Sequence, residues 1–221
     1  MKIKKNDYSI DTGFGSNGIL ALDSIYPIQK TLQFNNYLFI AGYNSSIYVQ
    51  KFDINTGMLD SSFANNGTCN IDVFYHEGAS YKINIIPQND DLYISGSTSI
   101  ASSDTILEKR SAITGGLITN FGENGRLDIN KLKTFLKTEN DKINILEYSY
   151  IYYSDYSITF DFKDIYKDYV LVKANYHGKY FDGGYFNNSK LVLNNLISIN
   201  KITGNPKSVF GAYNNCGASP F

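Results

Sequence analysis

Lys51-Phe52-Asp53-Ile54-Asn55-Thr56-Gly57-Met58-Leu59-Asp60-Ser61-Ser62-Phe63-Ala64-Asn65-Asn66-Gly67 is the stretch on which the fold turns. It recurs from Lys109 to Gly125, where Thr114-Gly115 again precedes Phe121-Gly122-Glu123-Asn124-Gly125. A further copy carries Thr203-Gly204 and then Phe210-Gly211, and another runs from Ile10 to Gly18 around Phe14. In the three copies at Thr56-Gly57, Thr114-Gly115 and Thr203-Gly204, the Phe follows the Thr by 7 residues each time. Self-similarity at fixed spacing is the mark of a repeat architecture.

Each part of the motif has a physical reading. Thr-Gly closes a strand with a residue that tolerates positive φ, and Asn-Gly is the favoured two-residue hairpin turn. The Asp three residues before Phe14 and Phe63 can cap a turn with its carboxylate. A Phe set between two turns pins the loop onto a core, so Phe14, Phe63, Phe121 and Phe210 are read as structural residues. The motif offers too few carboxylates for a calcium loop, which needs several at alternate positions.

Between the motifs the sequence reads as strands rich in β-branched and aromatic residues, separated by Asn, Asp, Gly and Ser. Strands are expected at 19–23, 28–34, 37–42 and 47–53, with a turn at Asn35-Asn36, and again at 68–74, 81–86, 92–96 and 105–110, with a turn at Asn89-Asp90. Leu92-Tyr93-Ile94-Ser95-Gly96 mirrors Leu38-Phe39-Ile40-Ala41-Gly42. The one helical candidate is a short segment over 130–138, with Leu132, Phe135 and Leu136.

Four strands in a unit of about 50 residues describe a β-propeller blade. The expected fold is therefore all-β, a propeller-like repeat of four-stranded antiparallel blades, four in number, forming a single repeat domain over 1–221. The repeats fall at about 10–59, 60–117, 118–165 and 166–215. A competing arrangement has three blades with a long insertion between Tyr148 and Phe186, and such a ring would need a partner to close it.

The pattern from Leu59 to Gly67, with Leu92-Tyr93-Ile94-Ser95-Gly96-type strands in each unit, resembles the delta-60 repeat of bacterial propeller-like proteins. The resemblance covers residues 10–125 and extends to 196–215. It implies a propeller-type fold used as a binding or structural module, often in surface or secreted proteins, and it brings no catalytic residue with it.

Composition narrows the function classes. The 221 residues are 43% hydrophobic with a formal charge of -1, which gives a globular chain without the basic excess of a nucleic-acid binder. The longest apolar runs are strand-length, far short of a bilayer span, so membrane insertion is not expected. The start of the chain, with Lys2, Lys4 and Lys5 and no apolar stretch after them, has no signal-peptide pattern, which leaves cytoplasmic, virion-associated or otherwise exported locations open. Cys69 and Cys216 are too few for a disulfide framework or a Cys-rich zinc site, though one bridge between them stays open.

Enzyme chemistry is not expected. The histidines, His76 and His177, lie outside any recognisable motif and read as solvent-exposed turn residues. No metal-ligand spacing and no phosphate-cradling glycine loop is present, so no metal and no cofactor is expected. Aromatic density is the anomaly: 10 of the 19 tyrosines fall between Tyr148 and Tyr185. Tyrosine offers a rigid apolar face with a polar tip, suited to protein contact and to sugar stacking. The strand alternation of Tyr156, Ile158, Phe160 and Phe162 also fits a plain core face. The expected function is a structural or protein-interaction module, a component of a larger assembly such as a virion or cell-surface machine. Its contact surface would use Tyr150, Tyr152, Tyr153, Tyr166 and Tyr169. A glycan-binding module is the alternative.

Overall fold

The computed structural model describes residues 1–20, 22, 27–73, 81–98, 105–142, 157–166, 168–182 and 185–212. Among them the chain is built of antiparallel β-sheet with one helix, an all-β architecture. The first sheet has the order β1-β2-β3-β4, from Ile28–Phe34, Tyr37–Asn44, Ser46–Asp53 and Thr68–Ile71. A second runs β5-β6-β7, from Tyr81–Gln88, Asp91–Thr98 and Ile106–Ser111. The third runs β8-β9-β10-β11, from Ser157–Tyr166, Tyr169–Asp182, Tyr185–Asn200 and Pro206–Ala212. In phase this differs from the expected repeats. The first sheet takes its outer strand β4 from beyond the Phe63 turn, with Val49 opposite Cys69 and Ile47 opposite Ile71. In the second sheet the corresponding position is a single bridge between Glu108 and Arg126, after which the chain turns into a helix.

That helix, α1, spans Ile129–Lys142 and is longer than the segment read from the sequence. Asp128 caps it, since its carboxylate accepts the Lys131 N–H at 3.0 Å. Leu132 fixes it to the core, where it is fully buried.

The chain divides into two compact units, one of residues 1–94 with 110–117 and the other of 95–109 with 118–221. In the first, the central strand β2 is covered on both faces: Phe39, Ile40 and Ala41 are all buried, which explains why it reads as a continuous apolar run. Phe39 meets Phe63 edge to face, ring centres 5.8 Å apart. In the second unit Leu107, Phe121, Leu127, Val170, Val172, Ala174, Ile197 and Ile199 are buried.

Two expectations fail at the level of elements. His177 is not in a turn but in the middle of β9, opposite Val192 on one side and Ser157 on the other. Phe210 does not stand in a Phe turn; its backbone is in β11, paired with Leu196. The physical reason is local. The other copies have Asn-Gly three and four residues after the Phe, whereas here those positions are Tyr213 and Asn214. Nothing favours the reversal, so the strand continues.

Candidate functional site

Three Phe turns share one set of backbone bonds. Phe14, Phe63 and Phe121 are 6%, 0% and 0% exposed. Their N–H groups donate to the carbonyls of Asp11, Asp60 and Ile118, each at 3.0 Å. Beyond the ring, Asn17, Asn66 and Asn124 have φ of 52°, 48° and 51°, and Gly18, Gly67 and Gly125 have φ of 86° to 88°. Two consecutive positive φ values make the tight hairpin turn for which Asn-Gly is suited.

Each turn docks on the Thr-Gly of the following copy. Gly15 N–H donates to the Thr56 carbonyl at 2.7 Å, Ala64 N–H to Thr114 at 2.8 Å and Gly122 N–H to Thr203 at 2.9 Å. The Thr-Gly positions are themselves tight turns. Asp53, Ser111 and Asn200 accept the N–H groups two and three residues on, at 2.8 to 3.2 Å. The Thr hydroxyls of 56, 114 and 203 each accept an N–H two residues further, at 3.2 to 3.3 Å. Gly57, Gly115 and Gly204, at φ of 69° to 73°, lie buried beneath the docked turn.

A lysine fastens each dock, a role that the reading of the motif from sequence did not assign. Lys2 Nζ donates to the Asn55 carbonyl at 3.2 Å, Lys51 Nζ to Ile113 at 3.3 Å and Lys109 Nζ to Lys201 at 3.3 Å. Its signal was available, because each of the three lysines stands 12 residues before its Phe. Lys51 is the most enclosed, at 3% exposure, and pairs with Asp60 at 2.9 Å beneath the Tyr37 ring. Lys2 pairs likewise with Asp11 at 3.2 Å. The Ser62 hydroxyl, and then Lys51, hold the Asp60 carboxyl below the usual carboxylate range.

Of the five tyrosines expected to form a contact surface, Tyr150, Tyr152 and Tyr153 lie outside the described residues. Tyr166 and Tyr169 are brought together as cross-strand partners at the β8–β9 hairpin. Tyr169 is half-buried, with Lys207 Nζ 4.8 Å above its ring and donating to its hydroxyl. Its place also has a counterpart elsewhere in the chain. The residue before it, Asp168, accepts the Lys201 N–H, as Asn36 before Tyr37 accepts the Ile54 N–H, so Tyr37 and Tyr169 occupy the same repeat position. Cys69 is buried in β4, and Cys216 and His76 lie outside the described residues.

No protein-family model matches the chain, and no curated protein matches it. Among solved structures it is similar to the computationally designed Ika4 protein, at 12% identity and a TM-score of 0.33, over 87% of this chain and 95% of that one. The computationally designed Ika8 protein is similar at 10% identity and a TM-score of 0.22, over 83% of this chain and 61% of that one.

Proposed function

We propose that the chain is a non-enzymatic, propeller-like module of four blade-like units, delta-60-like in sequence, serving as a structural or protein-interaction component of a larger assembly such as a virion or cell-surface machine. The observation that supports this reading is the Phe-turn dock, made with the same donor and acceptor positions three times over. A scaffold fastened at each step loses little freedom when a partner binds, so its surface is presented at low entropic cost. The Tyr166–Tyr169 hairpin with Lys207 is the surface we assign to that partner, since tyrosine is enriched where interfaces concentrate their energy.

Size-exclusion chromatography with light scattering, paired with a glycan array, tests the reading. The wild-type chain is expected to run above its monomer mass of 24.8 kDa or to co-elute with its partner. A Tyr166→Ser, Tyr169→Ser double variant should be monomeric, with a melting temperature within about 2 °C of wild type. A strictly monomeric wild-type protein that scores on glycans overturns the proposal in favour of carbohydrate binding.

A further inference from the structure

The N-terminal copy carries a turn of the same build as the three Thr-Gly turns, but among the described residues no Phe turn docks on it. Lys4 N–H donates to the Ser9 carbonyl at 2.9 Å and Tyr8 N–H to the Lys4 carbonyl at 3.0 Å. The same two bonds close the other turns: Asp53 to Met58 and Gly57 to Asp53, Ser111 to Gly116 and Gly115 to Ser111, Asn200 to Asn205 and Gly204 to Asn200. The bridge Ile3–Ile10 likewise repeats Phe52–Leu59 and Arg110–Leu117. By this alignment Tyr8 takes the place held elsewhere by Gly57, Gly115 and Gly204, and each stands 6 residues before its Phe or, for Gly204, before Phe210.

Tyr8 keeps the left-handed backbone of that position, with φ of 57°. A bulky residue is a costly choice there, and among the described positive-φ residues Tyr8 is the one aromatic side chain. Strain that is retained points to a role. The glycines show what that role is. A Cβ added to Gly57 would lie 2.9 Å from Gly15 N and 3.0 Å from the Phe14 ring. At Gly115 it would lie 2.7 Å from Ala64 Cβ, and at Gly204 2.5 Å from Gly122 N. In each case the obstacle is the incoming turn itself, its backbone at Gly204 and both backbone and side-chain atoms at Gly57 and Gly115. The docking face accepts a Phe turn only while the residue beneath has no side chain. Tyr8 puts a phenol there and is 84% exposed, flanked by exposed Ile3 and Ile10.

We infer that Tyr8 is the stop of the array: it preserves the shape of the docking turn while barring any Phe turn, from this chain or a second copy, from seating on the first unit. Among the described residues, the three turns with glycine at this position are docked, and the one with Tyr8 is not. The inference rests on the repeat geometry and stands whether or not the interaction reading above holds.

The test moves the stop inward. In a Gly57→Tyr variant, the Gly15 amide, which donates to Thr56 across the first dock, should lose its hydrogen-exchange protection, while the Ala64 amide of the second dock keeps its own. A Gly15 amide still protected in that variant overturns the inference. Should Gly57→Tyr fail to fold, the reverse change decides. The Tyr8→Gly chain, titrated by NMR with a synthetic peptide of residues 50–69, should show saturable shifts confined to residues 3–10. Those shifts should vanish when the peptide carries Phe63→Ala, and wild-type protein should show none. Equal shifts in wild type, or none in Tyr8→Gly, would defeat it.

Discussion

An ammonium group as enclosed as that of Lys51 is stable only while Asp60, the Ile113 carbonyl and the Tyr37 ring stay around it. Lys51→Ala leaves the carboxylate of a nearly buried pair without its partner and should cost about 3 kcal/mol in urea denaturation. Lys2→Ala removes a pair whose side chains are 34% and 26% exposed, and should cost about 1 kcal/mol or less. Phe63→Ala, at a fully buried ring, should cost about 3 to 5 kcal/mol. Asp60 also sets a pH response. Its folded pKa is lowered, by Ser62 first and Lys51 next, so its contribution is complete above the unfolded value of about 3.9 and is lost as pH falls through the folded one. Urea midpoints measured from about pH 5 down to about pH 2 should therefore drop more steeply in wild type than in Asp60→Asn. Phe14, Phe63 and Phe121 were legible because an aromatic ring between two turn signals has few other uses. Lys51 was not, since a lysine between Gln50 and Phe52 in a strand reads as a solvent-facing charge, and only the three-dimensional dock shows what it reaches.

Hairpins are the elements that the residues specify most firmly. Asn35-Asn36 and Asn89-Asp90 bend where expected, because Asn35 and Asn89 take φ of 53° and 54°, which asparagine tolerates better than most side chains. The phase of the sheets was not legible. Thr68 to Ile71 has the same strand character whichever sheet it joins, and only the register with β3 assigns it. Phe210 misled for a related reason: Thr-Gly at the right distance marks the turn before the Phe, but the turn after it needs its own Asn-Gly. That requirement can be tested at the second copy. Gly67→Ala forces a side chain into φ of 87° with its Cβ 2.4 Å from Leu59 Cγ, so it should destabilise by more than the roughly 1 to 2 kcal/mol of the left-handed backbone alone, read as a fall in melting temperature.

For the molecule as a whole, the circular dichroism spectrum should be that of a strand protein, since among the described residues helix is confined to the 14 residues of α1. On the non-enzymatic reading, replacing His76 and His177 together by Asn should leave partner binding intact with the melting temperature preserved; loss of binding in a folded variant would give one of them a role. The all-β class was legible from the repeat, because a pattern copied along a chain averages out local ambiguity. Tyrosine enrichment alone does not separate a strand residue from a recognition residue, and Tyr169 shares its repeat position with Tyr37. The borrowing of β4 by the first sheet also has a consequence in time. On the ribosome, β1 to β3 are complete at Asp53, but the strand that covers the open edge of β3 ends at Ile71, 18 residues later. At about 5 to 20 residues per second that edge stays bare for roughly 1 to 4 seconds, so a neighbouring nascent chain has that interval in which to pair with it.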